Sequence, residues 1–328
     1  MALNKNIKLI LNYAAGPLLL IFLFYSVSQQ LQRQTGWKAS VQQIMNAFSG
    51  GRQWRLYLMM ALMWLNWGLE AAKWQVSILP LQQLGFLRAF KAVLAGACIA
   101  SFTPNRVGEY FGRMLYMAEG KKVQSVAPAI VCSMGQMLVT LLAGSAGLFL
   151  FLVFTPAYPV VWISPPYTRI FLLIAVLSAL VLATLYFRVG PLVSLINRIF
   201  KKYVKSFSIP QHFSNRMLFK ILLLSLLRYG VFLLQYFLLF SLFRLNISVL
   251  HVFMGVSVMF VVMAVIPSFT ILTDLALRWE AGIRIFQVYT LNTAGILAVS
   301  LGIWIVNLII PALIGSLLIL RIKLFSSK

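Results

Sequence analysis

Acidic residues are scarce in this chain. Glu70, Glu109, Glu119, Asp274 and Glu280 are its five carboxylates in 328 residues, against 28 lysines and arginines. Histidine and cysteine occur only twice each. So thin a stock of titratable groups leaves little from which to build a catalytic triad, a dinuclear metal site or a phosphatase-type cluster of His and Arg. His212 falls in a basic loop and His251 near a membrane boundary, and neither has a nucleophile or metal ligand beside it. Cys98 and Cys132 lie in apolar segments without CxxC or metal-ligand spacing and read as small buried hydrophobes. No P-loop, dinucleotide fingerprint or metalloprotease helix occurs, so the expectation is a non-enzyme with no metal and no cofactor, and not an ATP-driven pump. Long polar stretches are also missing, which leaves no room for a separate soluble domain.

What is abundant is apolar. The chain is 61% hydrophobic and 10% charged, with a mean hydropathy of +0.92, values that place it among polytopic membrane proteins. The net charge of +23 is spread over short loops rather than gathered in a basic domain, which excludes nucleic acid and points to anionic lipid and the positive-inside rule. The apolar stretch behind Lys5 and Lys8 reads as an uncleaved first span rather than a signal peptide, because no small-x-small site follows it.

Apolar runs predict spans near 8–28, 56–79, 126–155, 169–187, 217–243 and 287–320. The last is too long for one upright span and includes Pro311, so it is tilted, kinked or split. Two further runs, 92–118 and 249–282, are interrupted by a proline followed by charges. The loop from 188 to 220 carries Arg188, Arg198, Lys201, Lys202, Lys205, Arg216 and Lys220 with no acid, so it belongs inside. That parity, with both termini inside, requires the two interrupted runs to be re-entrant hairpins. The loop at 29–54, with Arg33, Lys38 and Arg52, then falls outside against the rule. Within 188–216, Leu192, Leu195, Ile196, Ile199, Phe200, Tyr203 and Phe207 recur at helical spacing opposite Arg198, Lys201, Lys202 and Lys205. They predict a cytoplasmic interfacial helix on anionic headgroups, with a solvated linker as the plainer reading.

The interrupted runs share a plan. "SFTPNRVGEYFGR" and "IPSFTILTDLALRWE" each place an acid after a proline and an arginine four residues later: Pro104, Glu109, Arg113 and Pro267, Asp274, Arg278. The expected fold is therefore all-α: one integral domain over 1–328, an inverted repeat of 56–155 and 217–320 with about six full spans, each half holding one hairpin. Thr103 and Pro104 suit the N-cap and N1 of a short helix whose free N–H groups, with Arg106, attract phosphate. Glu109 and Asp274 are expected to meet a cationic moiety or a proton. For Glu109 with Arg113 and Asp274 with Arg278, an internal salt bridge that only braces the hairpin is the competing reading. Glu70 and Lys73, at i,i+3, neutralise one another, and Arg228 must find an acid across the bundle. Trp64, Trp67 and Trp74 read as interface anchors or packing.

Pro104, Asn105, Arg106, Gly108, Glu109 and Arg113, with "NWGLEAAKW" at 66–74, resemble the membrane region of the lysylphosphatidylglycerol synthase family, flippase-like proteins that include the multiple peptide resistance factor. The second hairpin departs from the family pattern in lacking its glycines and in having Asp274 where Glu is usual. The resemblance implies lipid handling at the cytoplasmic membrane, without the aminoacyl-transfer domain of the full-length resistance factors. The expected activity is translocation of an anionic or zwitterionic lipid headgroup, phospholipid or lipid-linked, through a midplane site between the hairpins. The alternative is a non-transporting accessory or scaffold protein for lipid or glycan synthesis, acting as a homo-oligomer or with a synthesis enzyme.

Overall fold

The computed structural model describes residues 53–154, 164–188, 213–266 and 271–320, together with Lys38, Gln42, Met45, Gly190, Val193, Ser194 and Arg198. The expected span at 8–28, Pro267, and Lys201, Lys202 and Lys205 of the interfacial segment lie outside the described residues. From that segment, Arg198 is exposed and Val193 packs with Ala127, Tyr186 and Leu218.

Among the described residues there is no strand: helices are joined by turns and short irregular links. In order they form α1 (Trp54–Ile78), α2 (Phe86–Ala100), a three-residue 3-10 turn (Pro104–Arg106), α3 (Gly108–Met114), α4 (Val126–Phe154), α5 (Pro165–Phe187), α6 (Asn215–Leu242), α7 (Val249–Val265), α8 (Ile271–Phe286), α9 (Thr293–Trp304) and α10 (Ile310–Leu320). Four helical stretches are long and apolar enough to cross a membrane: Val123–Phe154, Tyr167–Phe187, Asn215–Leu242 and Thr293–Ile319. The chain is thus a multi-pass helical membrane protein. On α5 the exposed residues Tyr167, Ile170, Leu173, Ile174, Leu177, Leu180, Val181 and Leu185 are large and apolar, a surface that suits lipid and not water. Helix α1 has comparable length at 25 residues, but Asn66, Glu70, Lys73 and Gln75 dilute its hydropathy. The first three are turned inward and buried.

The last expected span begins at Thr293 instead of 287, because Asn292 caps the helix by accepting the Gly295 N–H at 2.9 Å. Nor is it split. A π-helical turn at Ile305–Ile309 joins α9 to α10 directly ahead of Pro311, whose missing N–H and bulky ring disturb the ladder at Asn307.

Both interrupted runs fold back on themselves, with boundaries that start at Phe86 and end at Phe286 rather than at 92 and 282. Helix α2, at 15 residues, is roughly 22 Å long, short of the ~30 Å hydrocarbon layer. Gly96 faces Gly112, and Ile99 faces Gly108, so α3 returns antiparallel along α2. The two ends of this hairpin come together: the Ala118 N–H donates to Gln82 Oε1 at 3.1 Å and Lys121 Nζ donates to the Leu81 carbonyl at 3.0 Å. In the second hairpin Gly255 of α7 lies against Phe286 of α8, and the His251 ring stacks on Tyr289 with centroids 4.5 Å apart. Helix α1 packs on α6, α2 on α10, and α7 on α4.

Candidate functional site: a buried charge cluster between the hairpins

Asn66, Glu70 and Lys73 stand at i, i+4 and i+7 of α1 and so share one face. Glu70 is the hub. Its Oε2 accepts from Lys73 Nζ and from Arg228 Nη1, each at 2.7 Å, and its Oε1 accepts from Arg113 Nη2 at 2.7 Å. One carboxylate therefore ties together α1, the first hairpin and α6. Arg228 is residue 14 of the 28-residue α6, about 20 Å from either end, so these groups sit at mid-depth. Charge there is tolerated only when paired.

The arginines are braced by aromatic faces. The Arg113 guanidinium lies 5.2 Å from the Trp74 ring centroid, and that of Arg228 lies 5.7 Å from Trp67 and 5.5 Å from Phe232. Trp67 and Trp74 are buried while Trp64 is exposed, so the three tryptophans divide between packing and surface.

In the first hairpin Glu109 pairs with Arg113 and approaches Arg106 at 3.8 Å. In the second, Arg278 Nη2 donates to Asp274 Oδ2 at 3.2 Å and Nη1 donates to Tyr236 Oη at 2.8 Å. Both acids expected to meet a cationic moiety or a proton are engaged by arginine, the i,i+4 pairing of the competing reading. The hairpin tip also differs from the expected phosphate-binding helix end. Pro104 opens only a 3-10 turn, and its N–H groups are used locally: Arg106 N–H donates to the Thr103 carbonyl at 3.3 Å and Val107 N–H to the Pro104 carbonyl at 3.2 Å. The Thr103 hydroxyl accepts the Gly108 N–H at 2.7 Å. Asn105 and Arg106 have φ of 48° and 61°, left-handed conformations that are costly for arginine and common where a tip must aim a side chain.

Beside the charges runs an amide chain with no counterpart among the expected site residues. Arg228 Nε donates to Asn66 Oδ1 at 2.7 Å, Asn66 Nδ2 to Asn307 Oδ1 at 3.0 Å, and Asn307 Nδ2 to Gln235 Oε1 at 3.0 Å. The spacing of Asn66 with Glu70 and of Arg228 with Gln235 on single helix faces was a usable signal. Asn307→Leu is expected to cost about 1–3 kcal/mol by stranding Asn66 and Gln235. Thermal unfolding in detergent checks this, and an unchanged midpoint would show the chain to be dispensable.

These elements surround a cleft of about 350 Å³ lined by Glu70, Lys73, Arg106, Glu109, Arg228 and Arg278, with Gln136 and Thr140 of α4 and an apolar wall of Phe232, Phe260 and Met263. The tip of the first hairpin, through Arg106, and the described flanks of the second, through Met263, Ala264 and Arg278, thus line one cleft. A larger apolar groove of about 1080 Å³ lies among α1, α4, α5 and α6, and Tyr229 lines both spaces. The Tyr229 hydroxyl is held by Ser257 at 2.7 Å. Among the described residues no group of three or more His, Cys, Asp or Glu could hold a metal ion.

The fold is that of a polytopic helical membrane protein, and a cleft with ionic groups at mid-depth is compatible with a transport-like architecture. No protein family, curated protein or solved structure matches the chain.

Proposed function

We propose that the protein is a lipid translocase. An anionic headgroup enters the cleft against Arg106, Arg228 and Arg278, and rocking of the two hairpin-bearing halves passes it across the bilayer. The observation that carries this reading is the convergence of both hairpins on one charged cleft at mid-depth, through Arg106 and Glu109 of the first and Met263, Ala264 and Arg278 of the second. The packing pattern supports an inverted repeat: α1 pairs with α6, while each hairpin's first helix, α2 or α7, packs on the last helix of the other half, α10 or α4. The groove that shares Tyr229 with the cleft suits the acyl chains of the same molecule, which favours an amphiphile over a soluble anion.

Orientation follows from charge. The end where α2, α4 and α6 begin carries Arg88, Lys91, Lys121, Lys122, Arg188, Arg216 and Lys220 against Glu119, whereas the opposite end carries Arg55, Arg169, Arg244 and Arg284 against Glu280. The richer end is assigned to the cytoplasm. On this reading the first hairpin dips in from the cytoplasmic face of the cell membrane and the second from outside. The resemblance to flippase-like lysylphosphatidylglycerol synthase membrane regions agrees with it, and no chemistry on the lipid is invoked.

The test is reconstitution into vesicles containing a fluorescent phospholipid, with the outer leaflet bleached by a membrane-impermeant reductant. Wild type is expected to bleach beyond the outer-leaflet half. Arg106→Ala combined with Glu109→Gln, which leaves the three bonds to Glu70 in place, is expected to stop at that half. Equal bleaching by the double variant would remove the cleft as the route.

A further inference from the structure

We infer that the anionic group this cleft accepts is doubly charged, a phosphoryl group in monoester or diphosphate form, rather than the single charge of a phosphodiester. This rests on the reading of the cleft as a headgroup site. Among the described residues, the charge cluster of the cleft holds five cations, Lys73, Arg106, Arg113, Arg228 and Arg278, and three carboxylates, Glu70, Glu109 and Asp274. Five minus three leaves a formal charge of +2. No further carboxylate can offset it, because the remaining two acids are committed elsewhere at exposed positions: Glu119 pairs with Lys122 and Glu280 with Arg284.

The excess is positioned to be used. Glu70 is saturated by three cations, with its side chain 4% exposed. Arg106 makes one loose contact, at 3.8 Å, and its side chain is 42% exposed. Arg278 lines the cleft and its buried Nε has no hydrogen-bond partner. At mid-depth, where solvent screens little, a guest of charge −2 neutralises the cluster, a phosphodiester leaves +1, and a zwitterion leaves +2. A cationic headgroup meets no free carboxylate. The fork geometry of the arginines also suits a terminal phosphoryl group, which offers three oxygens where a diester offers two.

Binding to the full chain purified in detergent distinguishes these guests. The probes are short-chain phosphatidic acid, phosphatidylglycerol and phosphatidylcholine, and inorganic phosphate, measured by calorimetry near pH 8. Phosphatidic acid is expected to bind at least about ten-fold more tightly than phosphatidylglycerol, since one further charge is worth well over that factor at low effective dielectric. Arg106→Gln lowers the formal charge to +1 and is expected to erase most of that preference. Arg278→Gln should do the same, so the result does not hang on one variant.

Equal affinity of the two anionic lipids in wild type, or an unchanged ratio in both variants, overturns the inference even if lipid still crosses vesicles. A clear preference for phosphatidic acid without any lipid transfer supports the dianion and sinks the translocase. Inorganic phosphate competing as strongly as phosphatidic acid also supports the dianion, and assigns its source to a soluble anion instead of a lipid.

Discussion

Glu70→Gln is expected to destabilise the protein by about 3–5 kcal/mol, the range for removing one partner of a buried ionic network. Lys73, Arg113 and Arg228 all converge on this carboxylate at 2.7 Å. Glutamine keeps the volume but removes the charge, and its amide nitrogen is a donor facing donors. Arg113 retains Glu109, whereas Lys73 is left with only Gln136 Oε1 at 3.4 Å and Arg228 with Asn66. Two buried cations then lack a counter-charge. Folded yield and the thermal midpoint in detergent are the measurements. Glu109→Gln, at the more open edge of the cluster, should cost less because Arg113 still has Glu70. Adding Lys73→Met to Glu70→Gln should recover part of the loss by removing one stranded charge. Equal midpoints for Glu70→Gln and wild type would mean that the cluster is not what joins α1, the first hairpin and α6.

The membrane-length helices among the described residues were legible in the sequence because bilayer thickness imposes their lengths, and the breaks in the two interrupted runs were legible because a proline followed by charge does not suit a continuous span. The i,i+3 and i,i+4 pairs were equally plain: Glu70 with Lys73, Glu109 with Arg113, and Asp274 with Arg278 all form. Arg228 does find its acid across the bundle, in Glu70. What sequence spacing could not supply was which distant groups share a partner. Arg113 and Glu70 are 43 residues apart, and Asn66 and Asn307 are 241 apart. The amides were also quiet because a single Asn or Gln in an apolar run barely alters its hydropathy. At Pro104 the expected short helix forms with Thr103 as N-cap and Pro104 at its start, but as a three-residue 3-10 turn. The Thr103 hydroxyl takes the Gly108 N–H, and the α-helix begins four residues later, a division that the local sequence does not reveal.

The cluster explains why most of its arginines are not free to serve as a simple anion trap. Arg113 is covered by Trp74 and shared between two carboxylates, which makes it a brace. Arg106, at the left-handed tip, is the most exposed of the five cations, and its small number of contacts makes it the residue best placed to follow a moving guest. A buried brace and an exposed arm in one hairpin suit the proposed translocase, whose site would hold its shape while its occupant changes sides.

Gly112→Ala carries the second large effect, and it tests the hairpin that positions both of those arginines. A Cβ at Gly112 would lie 2.4 Å from Gly96 Cα, 2.4 Å from Gly96 N and 2.6 Å from the Ala95 carbonyl carbon. All three are backbone atoms of α2, so no side chain can rotate away and the two helices must separate. Overpacking of this kind typically costs about 1–3 kcal/mol, and with only rigid backbone to yield the upper end is expected here. Separation also lifts Glu109 and Arg113 from α1, so the Glu70–Arg113 bond weakens along with the packing. Gly85→Ala is the matched control, since a Cβ there meets nothing within 4 Å and its φ of −64° suits alanine. Gly112→Ala should therefore lower the thermal midpoint clearly and abolish lipid transfer in vesicles, while Gly85→Ala leaves both near wild type. If the two variants behave alike, α2 and α3 do not touch as closely as Gly96 and Gly112 require, and the tip that carries Arg106 is not held by this contact.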